Sequence, residues 1–465
     1  MSHRQTTAAD LVVVGAGVAG LAAAARAAAL GLHVVVVEKR TEIGGSGALS
    51  AGIVWTAPDL ATFARIAPLG DSRLGAVLVE GFAAAVDGIR TLGIDVSERW
   101  SGQMGFGIAH HVDLPALLAR WAADLQAAGG ELQLATPADA LALDEAGAVR
   151  GVHVEGAAGR RLIPAGAVLL ASGGFQGDPE LVAELIGSGA DAIPLRAAPG
   201  SAGDGLRLGR AAGAALRDGH GTFYGHLIPD EIDAWTADRY LPLTQYQSAA
   251  SIVVNLEGRR FADESRGDEL TNQATLRQPQ GRAVLICDER TRLDHAVGPA
   301  YPHGQPIDRF AVAAEAGARI VTARTIPELV AGVATWGVDA AALRRTLDDY
   351  RSAAAGQDVA LDAALPARPV ALSQPPFYAL AVQPTITFPF GGLAVDADGR
   401  VLDGEARPVP GLFAAGADAG GLQGPGYVGG LVLGIVFGPR VAEVVAADLS
   451  SPPPADIDVP IGGAR

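Results

Sequence analysis

Three glycines and one acid near the start of the chain have the spacing of a nucleotide site. Gly15, Gly17 and Gly20 form G-x-G-x-x-G, and Glu38 follows 23 residues after Gly15. In such a turn the first glycine permits a tight bend, the second lets the backbone approach a pyrophosphate, and the third lets helix and strand pack closely. A helix N-terminus beyond the turn offers free N–H groups and about half a positive charge to phosphates. An acid at the distance of Glu38 suits a ribose hydroxyl. Gly44 and Gly45 come just after it, followed by Ser46 and a run of small residues to Gly52. A second glycine pair there favours FAD over NAD, with the next segment passing beneath the flavin.

These residues need a β-α-β unit to hold them. Residues 11–14 are an apolar run entering the turn, an alanine-rich stretch reads as a helix, and residues 33–37 form a second apolar run ending at Glu38. Residues 60–92 repeat apolar positions at helical spacing. Residues 100–111 are glycine-rich and aromatic, and Asp113 can cap a helix over 114–128. Short strands between 131 and 167, with turns at 145–147 and 157–159, read as a small antiparallel layer inserted in a parallel fold. Residues 168–172 read as a buried strand, and 199–205 open a helix that runs to 215. Past Asp218 the character changes: Phe223, Tyr224, His226, Trp235, Tyr240 and Tyr246 crowd into one stretch. Strands follow at 251–256 and 284–287, then an amphipathic helix at 339–355 with Asp339 as cap. A proline-rich crossing at 364–376 returns the chain to a second strand–glycine–helix unit. Its strand is 411–416 and its helix 431–447, so a second helix N-terminus points at the ligand.

Composition narrows the partners. The 465 residues are 49% hydrophobic and 18% charged, with a net charge of −16 and no basic block. That argues against nucleic acid and anionic membranes, although a local arginine pocket can still take an anionic substrate. Cys287 is the single cysteine, so the chain makes no internal disulfide, cysteine zinc site or iron–sulfur cluster, and Cys287 is expected to be buried. No metal site is expected. The apolar runs are strand-sized, the N-terminal tail lacks a signal-peptide pattern, and a cytoplasmic protein without a membrane span is the expectation.

Four separated pieces resemble the FAD-dependent fumarate reductase and succinate dehydrogenase flavoprotein superfamily: GAGVAGLAAAARAAALG with Glu38 and its glycine pair; LLASGGF with PGSAGDG; RRFADESR; and GGLAVDADGRV, PGLFAAG and GGLVLG. Within it, PPFYALAVQPTITFPFGG and GPGYVGGLVLGIVFGPR look most like the tricarballylate dehydrogenase branch, with ketosteroid 1-dehydrogenases more distant. The resemblance implies an α/β fold: a Rossmann-type FAD-binding domain over 1–222 and 378–450, an inserted α+β capping domain over 223–377, and a loose tail over 451–465. It places Gly15, Gly17, Ala19, Gly20, Glu38, Lys39, Gly44, Gly45, Ser46, Ser50, Ala51 and Gly52 on FAD. It adds Ala138, Ala171 and Gly173, then Gly416 and Asp418 at the ribityl chain. Gly430, Leu431 and Val432 would form a helix start facing the flavin. Family members that attach FAD covalently use a histidine in the segment after the acid. None stands in 40–52 here, so non-covalent FAD is expected.

The implied reaction is hydride exchange between a substrate carbon and flavin, with a proton moved at the neighbouring carbon. Arg266 in RRFADESR lies nearest the family's proton-donating arginine, with Glu264 or Asp268 as neighbours. His226 stands where the family holds a substrate carboxylate. Tyr427 replaces a carboxylate-clamping arginine, and Thr387 and Phe388 stand in place of a clamping histidine, which argues against fumarate or succinate. Tyr427 could instead bond a carbonyl, act as a base or pack on the flavin. His110 and His111 are further pocket candidates, and Tyr301 and His303 lie in a loop, GPAYPHGQP, whose sequence assigns them no role. The leading reading is an FAD-dependent dehydrogenase or reductase of a CH–CH bond beside a carboxylate or ketone. Its alternatives are a dehydrogenase of steroid-like cyclic ketones, a redox-neutral isomerase or hydratase, and a binding protein. With no C-x-x-C-H haem motif, electrons would pass between the small-molecule substrate and a separate donor or acceptor: a quinone, another protein, a soluble acceptor or oxygen.

Overall fold

Valine-rich runs buried on both faces make a parallel sheet. In the computed structural model, which describes residues 8–156, 159–299, 302 and 304–450, β1 (Ala9–Val14), α1 (Val18–Ala29) and β2 (Val34–Val37) form the opening unit. β1 lies between β2 and β4 (Gly159–Leu170), parallel to both, with Leu11 opposite Val34 and Val12 opposite Val168. β3 (Glu131–Gln133) extends the sheet beyond β2. On the other side β6 (Pro408–Ala414) runs parallel to β4, and β5 (Arg400–Leu402) closes the edge antiparallel to β6. The carboxyl ends of β1, β2, β4 and β6 therefore open on one side of the sheet, where α/β proteins of this kind bind ligands.

The inserted antiparallel layer is present in a different form. β4 is one continuous strand of 12 residues. Its first half pairs with Val149–Gly156, which pairs with Ala138–Leu143, and its second half joins the parallel sheet. The expected separate strand at 168–172 is the end of β4. The stretch 60–92 is two helices, Leu60–Ile66 and Ser72–Thr91, because Pro68 and Gly70 interrupt it and Asp71 caps the second. Residues 100–111 fold into two paired strands, Trp100–Gln103 and Gly107–His111, and the second of them also pairs with Ile53–Thr56. The helix after the PGSAGDG run stops at Ala211.

A second, five-stranded sheet contains Ile228–Pro229, Ile252–Asn255, Ala283–Asp288, Ile320–Ala323 and Phe377–Gln383. Alternation gives it two buried faces. Ile252 and Val254 pack with Leu329, Leu343 and Leu347, whereas Val253 and Leu285 pack with Phe310 and Ala313. Its ladder runs through Gln383, so the return to the first sheet comes after residue 383 rather than at 378. Asp339 caps the helix Ala340–Ala354 through the Ala342 N–H, 2.9 Å away. Cys287 is buried in the second sheet, and burial pushes its thiol pKa up. Among the described residues no helix is long and apolar enough to cross a membrane, and no acidic or histidine cluster could hold a metal.

Candidate active site

The sheet ends meet in a cavity of ≈ 630 Å³. β1 delivers Gly15, β2 delivers Glu38, β4 leads to Ala171 and Gly173, and β6 leads to Gly416. Gly17, Ala19, Lys39, Gly44, Gly45, Ser46, Ser50, Ala51, Ala138, Gly430 and Leu431 line the same cavity. The packing beneath it requires glycine. A Cβ on Gly20 would stand 1.9 Å from the Gly15 carbonyl oxygen. A Cβ on Gly17 would meet no described atom closer than the Gly44 carbonyl oxygen at 3.9 Å, so it would project into the cradle. Glu38 is oriented by two backbone donors, Ala16 N–H at 2.9 Å and Arg40 N–H at 2.8 Å. α2 (Leu431–Ser450) lies against α1, with Gly434 and Gly438 meeting Ala19. The start of α2 therefore converges on the same space as the start of α1.

Four expected cofactor residues do not line the cavity. Gly20 packs inside the turn, and Gly52 lies against the Val112 carbonyl. Val432 is fully buried in the core. Asp418 is buried with its carboxylate engaged: it accepts from the backbone N–H of Ser172, from Ser172 Oγ at 3.1 Å and from Gly174 N–H at 3.0 Å. It braces the glycine turn after β4. Burial raises its pKa against those donors.

The other end of the cavity is aromatic and titratable. The rings of Tyr224 and Tyr427 stack with centroids 3.7 Å apart, and Trp55 meets Tyr427 edge-on at 5.1 Å. The Tyr224 hydroxyl lies 2.7 Å from His226 Nε2, and His226 Nδ1 contacts the Asp268 carboxylate. Asp268 accepts only, so Nδ1 carries the hydrogen and Nε2 is left to accept from Tyr224. Burial lowers the His226 pKa, against the attraction of Asp268, and so disfavours the imidazolium. Burial raises both tyrosine pKa values, keeping them phenols; Tyr427 also raises that of Tyr224, while Arg196 opposes both shifts.

Separate segments hold this cluster. Tyr224 pairs with Phe388 in a short antiparallel bridge. His226 is pinned by Thr385, whose Oγ1 donates to its carbonyl at 2.7 Å. Asp268 begins the helix Asp268–Leu276. From that helix Gln273 reaches the Pro425 carbonyl at 2.9 Å, and Gln423 brackets the Tyr427 loop through Val428 N–H and the Gly429 carbonyl.

The catalytic expectations are revised accordingly. Tyr427 lines the cavity. His226 is fully buried behind Tyr224 and does not line it. Its two ring nitrogens serve Tyr224 and Asp268 rather than a substrate carboxylate. Arg266 is exposed at the end of the turn Glu264–Arg266 and does not line the cavity. The acids expected beside it are taken: Glu264 pairs with buried Arg260, and Asp268 with His226. His110 binds the Ser97 carbonyl at 2.9 Å, and neither it nor His111 lines the cavity. Tyr301 and His303 fall outside the described residues. Tyr224, Asp268 and Arg196 line the cavity without having been assigned from sequence. Tyr224 and His226 stand two apart, an i, i+2 pair in extended chain.

A glycine cradle at the strand ends of a parallel sheet thus shares one cavity with a hydrogen-bonded aromatic cluster, the layout of a nucleotide-binding α/β enzyme. The chain belongs to the FAD binding domain family, whose model matches residues 10–431, within the fumarate reductase and succinate dehydrogenase flavoprotein superfamily. It is an FAD-dependent oxidoreductase. It is 28% identical to a fumarate reductase (cytochrome) of Shewanella frigidimarina over 94% of this chain and 77% of that one. It is 28% identical to a 4-oxocyclohexanecarboxylate 2-dehydrogenase of Sinomonas cyclohexanicum over 91% of this chain and 90% of that one. The solved 3-ketosteroid delta1-dehydrogenase of Sterolibacterium denitrificans superposes with a TM-score of 0.75, covering 95% of this chain and 99% of that one, at 20% identity. That last likeness is one of fold.

Proposed function

We infer that this flavoprotein dehydrogenates, or in reverse reduces, a CH–CH bond next to a ketone. The observation that carries the reading is the buried hydrogen-bond chain Tyr224–His226–Asp268, which ends on the cavity wall beside Tyr427. A proton on a carbon beside a carbonyl leaves only with a base at hand and a donor at the carbonyl oxygen. The Tyr224 oxygen takes that proton as its own hydrogen passes to His226 Nε2. Asp268 then faces an imidazolium and stabilises it. Tyr427, kept protonated by burial, donates a hydrogen bond to the oxygen that gains charge. In the reducing direction the same protons run backwards.

The residues fit FAD. Gly15, Gly17, Gly44 and Gly45 would approach the pyrophosphate, Glu38 a ribose, and Gly430 and Leu431 the flavin end. Bound FAD supplies the hydride acceptor or donor. We assign it as non-covalent, since 40–52 holds no histidine and no histidine lines the cavity among the described residues. The relative named for 4-oxocyclohexanecarboxylate supports a ketone substrate. Tyr427, Thr387 and Phe388, in place of charged clamps, weigh against a dicarboxylate.

Anaerobic titration of the holoenzyme with cyclohexanone, 4-oxocyclohexanecarboxylate and succinate tests this. A saturated ketone should bleach the flavin and succinate should not. Bleaching by succinate alone, or conversion of a ketone with no flavin reduction, would overturn the reading.

A further inference from the structure

Arg196 is an arginine with work left to do. Its Nε lies 3.3 Å from Thr244 Oγ1 and one terminal nitrogen, Nη1, lies 3.4 Å from Thr387 Oγ1. Both are long bonds to neutral hydroxyls. They hold the guanidinium through Nε and Nη1, and Arg196 lines the cavity. Among the described residues no carboxylate pairs with it. Other half-buried arginines in this acidic chain are paired: Arg292 with Glu289 and Asp308, Arg319 with Asp230. The remaining cations on the cavity wall are Lys39 and Arg40, which follow Glu38 at the dinucleotide end; Lys39 is tied to Asp204 at 2.5 Å. Arg309 also lacks an acid partner among the described residues but is sealed in the interior, bonded to the Thr244 carbonyl at 3.1 Å. Thr387, which holds Nη1, also donates its backbone N–H to the Tyr224 carbonyl at 2.7 Å, so the guanidinium sits beside the tyrosine pair.

We propose that Arg196 binds a carboxylate of the substrate. Resting on the ketone reading above, this makes the substrate a small oxo acid: its carbonyl lies against Tyr427 and Tyr224, and its carboxylate on Arg196. A planar fork held by two threonines is pre-organised for a carboxylate, and charge-assisted bonds in a desolvated pocket are the strong ones. The aromatic wall of Tyr224, Tyr246, Phe388 and Tyr427 suits a ring joining the two groups. Neutral ketones, steroid-like ones included, leave the arginine unanswered.

Calorimetry on holoenzyme with two unreactive probes, cyclohexanecarboxylate and cyclohexanecarboxamide, tests the anion site. Wild type should prefer the carboxylate by about 10- to 100-fold. Arg196→Gln should erase the preference, and Arg196→Lys should keep part of it. Equal affinities in wild type, or an undiminished preference in Arg196→Gln, would overturn the proposal. If Arg196→Gln fails to fold with FAD, the wild-type pair and Arg196→Lys decide. Turnover separates the two readings: an oxo acid should beat its methyl ester in kcat/KM by a similar factor. A carboxylate preference in binding with no flavin reduction by any ketone would overturn the substrate class and the ketone reading, leaving an anion site. Reduction by ketones with no preference for acids would overturn Arg196 alone.

Discussion

Glu269 shows what one buried acid does to this molecule. It stands beside Asp268, is almost wholly buried, and its Oε2 has no partner among the described residues. Burial first, then the neighbouring Asp268, raises its pKa from 4.5 to about 8. The folded state therefore holds a proton that the unfolded chain gives up near pH 4.5. The stability it contributes is fully present below that value and is lost as pH rises through about 8. Glu269→Gln should melt higher than wild type, by several degrees at pH 8 and by little at pH 4.5, an effect on the order of a few kcal/mol. A pH-independent difference in a thermal melt would contradict this. At the same scale, sequence and structure part company according to distance along the chain. The glycines and Glu38 were legible because their chemistry is local, set by spacing within one turn. Tyr224, Asp268 and Arg196 were not, because three remote segments bring them together. Arg266 lies nearest the family's arginine in a loop about one residue shorter, and the turn Glu264–Arg266 leaves its side chain exposed.

Among the elements, the junction of α1 and α2 sets the cradle. A Cβ on Gly434 would stand 2.8 Å from the Ala19 backbone nitrogen, so any side chain there pushes the two helices apart. Gly434→Val should cost about 1–3 kcal/mol or more through overpacking, and the purified variant should carry less FAD per chain. Full FAD content with an unchanged melt would show that the close approach is dispensable. Gly88 offers the contrast. It is exposed in the helix Ser72–Thr91, with nothing within 4 Å of an added Cβ. Gly88→Ala should raise stability by up to about 1 kcal/mol. The β-α-β opening, the capped helix Ala340–Ala354 and the terminal strand–glycine–helix unit could be read from periodicity and caps. The double life of β4 could not, since one strand changes partners and direction of pairing midway while its sequence stays extended. The short strands at 100–103 and 107–111 were also hidden, because glycine dilutes their alternation.

At the scale of the whole molecule, the candidate site belongs to the first core, because Tyr224, Phe388 and Tyr427 pack with the parallel sheet rather than with the five-stranded one. The parallel sheet presents glycine-lined strand ends for the dinucleotide. The cluster proposed to move a proton comes from the short bridge of Tyr224 with Phe388, the start of the helix Asp268–Leu276 and the Tyr427 loop. Composition announced the change of character past Asp218, but the ladder of Phe377–Gln383 carries the second sheet beyond the proline-rich crossing. Tyr224 is the group through which we propose that the substrate proton passes. Rapid mixing of anaerobic holoenzyme with the most active ketone tests it, comparing wild type with Tyr224→Phe. The variant should bind FAD normally, and its flavin should be reduced 10²- to 10⁴-fold more slowly, the usual worth of a general acid–base group. Reduction at the wild-type rate would contradict it.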